Sequence, residues 1–287
     1  MIRLPVVGLL LLLSLPATAA GIRVKDDAGR VLELAHPPQR IVALTPHLTE
    51  LLYAVGAGEQ VVGVDAGSDF PAAARALPRV GDFSRIRFER ILALQPDLIV
   101  AWVGGNRAAD IHGIQQLGIP VLLTQATRLD DVAHLLRLLG ATTGHAAAGE
   151  EAAQAYLDRL AALRVRHARA RPTPVFYQIW DRPLMTVGGA HWIDDALAVC
   201  GARNVFSDLD AVAPVVSREA VLRRQPAIIL GGSDAPDVRR TWQRFSTLPA
   251  VRRNAFVPVD ADRLHRATPR LVEGVAGLCA ALAPYER

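Results

Sequence analysis

The chain predicts an α/β fold: two Rossmann-like lobes with mainly parallel sheets, joined by a single long α-helix. Three observations lead there. First, residues 150–171 (EEAAQAYLDRLAALRVRHARAR) hold no Gly or Pro before Pro172 and consist mostly of strong helix formers. Ala153, Tyr156, Leu157, Leu160 and Leu163 recur at helical spacing and form one apolar stripe. Such a helix is a rod of roughly 30 Å. Second, ERILALQPDLIVAW (89–102) and EAVLRRQPAIILGG (219–232) repeat Glu, a helical stretch, Gln-Pro and an apolar strand at a constant offset, 219 − 89 = 130. LLYAVGA (51–57) aligns with ALAVCGA (196–202). Third, strand and helix patterns alternate on both sides of the long helix, which favours parallel sheets covered by helices. The expected boundaries are 1–20 for an export signal, 21–145 for the first lobe, 146–171 for the connecting helix and 172–287 for the second lobe.

The elements follow in order. Arg3, the apolar run Val6–Leu15 and the small residues ending at Ala20 form a charged n-region, an h-region and a cleavage site, with cleavage expected after Ala19 or Ala20. The run is short for a membrane span, so export to the periplasm is expected; a retained anchor is the alternative. Arg23–Leu34 reads as a hairpin turning at Asp27-Ala-Gly29. Ile41–Leu44 is a short strand, and Thr45-Pro46 suits the cap and first position of a helix over 47–55. Val61–Val64 and Leu98–Trp102 are strands, with a helix at Phe88–Leu94 between them. A helix at 107–117, a strand at Val121–Thr124 and a helix at 130–139 complete the first half.

In the second half Val175–Ile179, Ile228–Leu230 and Phe256–Val259 are strands. Helices cover His191–Val199, the segment capped by Ser217, residues 236–245 and the stretch from Thr268-Pro269 to about Leu282.

The composition, 51% hydrophobic and 21% charged, is that of a globular chain. Of its 32 basic residues 31 are Arg, yet net charge is only +4 and no basic run carries interleaved aromatics, so nucleic acid is not an expected partner. Cys200 and Cys279 are the only cysteines; in an exported chain they suggest a disulfide within the second lobe, with two buried thiols as the alternative. No serine nucleophile elbow, phosphate loop, H-E-x-x-H or C-x-x-C is present, and the eight His lack i,i+4 pairing, so neither catalytic nor metal-ligating residues are assigned.

In open α/β sheets ligands bind beyond the carboxyl ends of the strands. In the first half that zone holds Thr45 to His47, Asp65 to Ser68, Phe83 and Trp102 to Asn106. In the second it holds Trp180 to Arg182, Gly231 to Ser233 and Asp260 to Arg263. Trp102 and Trp180 stand out in a chain with 5% aromatic residues, and Asp262 and Arg263 could hold a polar ligand edge. His191 beside Trp192 reads as structural. Glu89 and Glu219 sit in first helical turns, where the dipole favours a carboxylate. Their matching places also suit a two-fold symmetric partner offering arginines.

RIVALTPHLTELLYAVGAG (40–58), SDFP (68–71), FERILALQPDLIVAWVGGN (88–106), VCGARNVF (199–206), VSREAVL (216–222) and RATPR (266–270) resemble the class III periplasmic binding proteins of ABC importers, closest to those that bind cobalamin. The resemblance covers nearly all of the mature chain. It implies a monomeric, non-enzymatic protein that captures a corrinoid and hands it to a permease dimer with its ATPase subunits. It implies docking through Glu89 and Glu219, a Cys200–Cys279 disulfide, and ligand contacts from Trp102 and Asp262. Phe83 stands where the family has Trp, Gly67 where it has Tyr, and Ala213 and Arg263 where it has Trp. Trp180 and Trp192 are candidate substitutes from nearby loops. Haem, a ferric siderophore or cobinamide are the alternative ligands, and an exported hydrolase the alternative class.

Overall fold

The structure, a computed structural model, describes residues 21–82, 84–168, 171–232 and 238–285. The expected signal segment and its cleavage point lie outside these residues. Strands β1 (Ile22–Lys25) and β2 (Val31–Leu34) form the expected antiparallel hairpin. The first lobe then runs β3 (Ile41–Ala43), α1 (Pro46–Ala54), β4 (Val61–Val64), α2 (Phe88–Ala93), β5 (Leu98–Trp102), α3 (Ala108–Gln116), β6 (Val121–Thr124) and α4 (Asp131–Thr143). Helix α5 (Ala146–His167) leads to the second lobe. That lobe comprises β7 (Thr173–Asp181), β8 (Leu184–Thr186), α6 (Trp192–Val199), β9 (Ala202–Asn204), α7 (Arg218–Arg224), β10 (Ile228–Gly232), α8 (Val238–Trp242), α9 (Pro249–Arg252), β11 (Phe256–Val259), α10 (Ala261–Leu264) and α11 (Leu271–Leu282).

The two sheets share one topology. The first has the order β4-β3-β5-β6, all parallel. The second has β9-β7-β10-β11, also parallel, with β8 folded back antiparallel onto the end of β7. The repeat at offset 130 maps α2 and β5 onto α7 and β10. Before each of these strands a Gln precedes Pro in the left-handed region, Gln95 at φ 46° and Gln225 at φ 47°. Proline disfavours the right-handed helical region for the residue before it, so the same local conflict ends both helices the same way.

Residues alternate between two cores along each strand. Ile41, Ala43, Leu98 and Val100 face one core; Val42, Leu44, Ile99 and Ala101 face another. In the second lobe Val175, Tyr177, Ile228 and Leu230 face the first of these cores, and Phe176 and Ile229 a third. One apolar core therefore runs through both lobes, closed over by α4, α5, α6 and α11.

Helix α5 begins four residues earlier than the first Glu of its run, because Gly144 at φ 84° ends α4 and the chain turns straight into the next helix. The pair crosses closely at Gly140 and Gly149: a Cβ on Gly140 would lie 2.9 Å from the Gly149 Cα. Helix α4 consequently continues past Gly140 to Thr143 instead of stopping at residue 139. Ala153, Tyr156, Leu160 and Leu163 bury the expected stripe, with Leu157 at its edge. The last helix starts at Leu271, since Thr268 to Arg270 form a turn. Cys200 at the end of α6 is disulfide-bonded to Cys279 of α11. Among the described residues no helix is long and apolar enough to cross a membrane.

Candidate functional site

At the carboxyl ends of β3, β4 and β5 a cavity of about 600 Å³ opens where the second lobe meets the first. Leu44, Pro46, Ala66, Gly67 and Trp102 give it a mostly apolar wall. His47, Asp65, Asp82 and Asn106 add polar groups from the first lobe, and His265 and Arg266 from the second.

The wall is built by short-range rules. Asn106 bridges the ends of two strands: its Oδ1 accepts from the Trp102 N–H at 2.8 Å and its Nδ2 donates to the Leu44 carbonyl at 3.2 Å. The two glycines before it make room for the indole. A Cβ on Gly105 would come within 2.1 Å of the Trp102 ring, and one on Gly104 within 2.8 Å of its Nε1. The AWVGGN run is thus a seat for one ring. Trp102 rests edge-on against His47, with ring centroids 5.1 Å apart, and 6.3 Å from Trp192 of the other lobe. Its Nε1 is buried and has no hydrogen-bond partner among the described residues. Trp192 donates to the Leu264 carbonyl at 2.8 Å, a bond within the second lobe that fixes its ring. His191 caps α6 by accepting from the Ile193 N–H, the structural role expected of it.

Glu50 of α1 clamps the second lobe from below. Arg270 donates to both its oxygens, at 2.9 and 2.7 Å, and Arg266 adds a bond of 3.0 Å. Arg266 also donates to Asp69 at 2.6 Å, and the Arg270 guanidinium lies 4.0 Å over the Phe70 ring. Both arginines of the RATPR run thus hold the lobes together beside the cavity. On the far side Tyr156 of α5 donates to the Leu129 carbonyl at 2.9 Å, and Asp195 of α6 accepts from the Leu129 N–H at 3.1 Å.

Burial, helped by the Arg266 charge, lowers the His47 pKa to about 3. The unfolded chain therefore takes up a proton near pH 6.5 that the folded chain refuses. The stability this group contributes is complete above the unfolded value and is lost as pH falls toward about 3. In urea denaturation, the unfolding free energy of the parent chain is expected to fall more steeply than that of His47→Gln between about pH 6 and 4, by about 1.4 kcal/mol per pH unit. Parallel curves would contradict this. Burial also pushes the Asp65 carboxyl above its ordinary range.

Of the expected contact residues, Gly67 and Trp102 line the cavity. Asp262 is exposed in α10, with a long 3.5 Å contact to Arg266, and Arg263 turns to Asp260 at 2.7 Å. Trp180 is 57% exposed at the end of β7, and Ala213 is exposed in the loop before α7; neither lines the cavity. Phe83 lies outside the described residues. Asp82, His265 and Arg266 were not singled out from sequence as contacts, because only the tertiary approach of the second lobe places the last two there. Glu89 and Glu219 are exposed in the first turns of α2 and α7. Among the described residues no group of three His, Cys, Asp or Glu is placed to hold a metal ion.

The architecture and sequence both have counterparts among known proteins. The Vitamin B12-binding protein of Vibrio parahaemolyticus is 33% identical over 244 residues, 85% of this chain and 89% of that protein. The periplasmic Vitamin B12 binding protein BtuF of Vibrio cholerae superposes with a TM-score of 0.78 at 35% identity, over 87% of this chain and 98% of that one. The periplasmic heme-binding protein RhuT from Roseiflexus sp. RS-1 has a TM-score of 0.75 at 25% identity, over 86% and 98%. A family model described as periplasmic binding protein matches residues 41–262, the span from β3 into α10. With two lobes of one topology, a cavity where they meet and this match, the chain belongs to the periplasmic binding protein family.

Proposed function

We propose that this chain works in the periplasm as the binding component of an ABC importer, capturing cobalamin or a related corrinoid and delivering it to a permease dimer with its ATPase subunits. It works without chemistry of its own, as a monomer with lobes 21–145 and 172–287 on either side of a connecting segment, 146–171. The observation that carries this reading is the Trp102 indole, seated by Gly104 and Gly105 in the wall of an inter-lobe cavity. A flat macrocycle gains most from such a ring face. The apolar core shared by both lobes supports a small hinge motion over a wide closure. Trp180, Asp262, Arg263 and Ala213 then act at the rim, on the part of a large ligand that extends past the cavity. Identity of 35% to the vitamin B12 binding protein of Vibrio cholerae, against 25% to the heme-binding RhuT, favours the corrinoid over haem or a siderophore.

Trp102→Ala is expected to weaken cyanocobalamin binding by more than about 1 kcal/mol, at least about fivefold in Kd, in a calorimetric titration. An unchanged affinity would remove Trp102 from the site.

A further inference from the structure

We propose that His47 is an axial ligand in this site: its Nε2 coordinates the cobalt of a bound corrinoid whose axial position is exchangeable. The inference rests on the corrinoid reading and deepens it. His47 lines the cavity at the start of α1, only 8% exposed, and its ring is fixed from two sides. Nδ1 lies 3.1 Å from the Thr45 Oγ1, and the Trp102 ring packs against its face at right angles. When Nδ1–H donates to the Thr45 Oγ1, the tautomer that cobalt binding selects, the lone pair is on Nε2, which has no hydrogen-bond partner among the described residues. Thr45 is the part a metal-bound imidazole requires, an acceptor on the second nitrogen that sets tautomer and orientation. Thr45 consequently leaves the backbone N–H groups of α1 uncapped by its side chain, although it stands at the cap position.

Burial and the nearby Arg266 keep this imidazole neutral throughout the physiological range, so no proton has to leave before it can bind a metal. His265, the other imidazole on the cavity, is engaged through Nε2 with the Tyr177 hydroxyl at 2.9 Å. The step is a ligand exchange. The Co–O bond to an axial water breaks, a Co–N bond to Nε2 forms, and the water leaves, with no change in oxidation state.

The test uses the tag-free full-length mature chain with diaquacobinamide, which carries water on both axial positions, and with cyanocobalamin, whose axial positions are filled. Bound diaquacobinamide is expected to show visible bands shifted to those of a reference mixture of diaquacobinamide and imidazole. Bound cyanocobalamin should keep its own spectrum. His47→Ala should bind diaquacobinamide about tenfold more weakly and give no shift; His265→Ala should retain the shift. Diaquacobinamide that binds the parent chain with its aqua spectrum unchanged overturns the proposal and leaves the corrinoid reading standing, and this arm needs no variant to fold. A shift that persists in His47→Ala also overturns it. Failure of both corrinoids to bind the parent chain overturns the proposal and the corrinoid reading together.

Discussion

Glu50→Ala is expected to destabilise the protein by about 3–5 kcal/mol, the range found when one partner of a buried charge pair is removed. Glu50 is 4% exposed and accepts three charge-assisted hydrogen bonds, all from the other lobe. Its removal leaves the Arg266 and Arg270 guanidiniums facing each other with Asp69, and Asp262 at 3.5 Å, as the remaining carboxylates on Arg266. The side chains of the two arginines are 17% and 22% exposed, too little for water to replace the lost acceptor in full. Urea denaturation at neutral pH checks this, and a loss below about 1 kcal/mol would show that the lobes are held chiefly by their shared apolar core. Because Arg266 also lines the cavity, the same variant should weaken ligand binding.

Reversing both acids, Glu89→Arg with Glu219→Arg, is expected to abolish delivery of ligand while leaving its affinity unchanged. A helix between parallel strands runs antiparallel to them, so the first turns of α2 and α7 lie at the strands' carboxyl ends, the side on which the cavity opens. Repeated topology places the two carboxylates in equivalent positions, one per lobe. Hydrogen bonds from its own backbone N–H and from Ser217 hold the Glu219 carboxyl below its ordinary range, so it is ionised and oriented. A permease dimer presenting one arginine cluster per subunit would meet four like charges in place of two complementary pairs. Transport into vesicles carrying the importer, with calorimetry on the free chain, separates the two roles. Normal transport, or lost ligand binding, would contradict the docking role.

Much of this architecture is legible in the sequence, because a duplicated lobe writes its elements twice. The Gln-Pro steps at residues 95 and 225 bound the same helix and strand in each half, and the long helix shows its stripe without tertiary help. Strands β8 and β9 escape detection because Leu184–Thr186 only folds back onto the end of β7 and Ala202–Asn204 pairs on β7 without an apolar pattern. Gly149 precedes the run of helix formers, and its close approach to Gly140 shows only in the fold. The site divides the same way. Trp102 with its glycines and Asn106 is a local motif and can be found by position at a strand end. Arg266 and Arg270 act on Glu50 across more than two hundred residues of chain, and no local spacing reveals their partner. Asp262 and Arg263 are the polar residues that sequence position offers for a ligand's edge; one helical turn later the chain also carries His265 and Arg266 into the cavity.

The central claim is that the space between the lobes is shaped for a corrinoid. A calorimetric titration of the mature chain with cyanocobalamin, repeated in the presence of haemin, tests it most directly. The account predicts saturable one-to-one binding of cyanocobalamin that haemin does not displace. No saturable heat with cyanocobalamin, or its displacement by haemin, would contradict it.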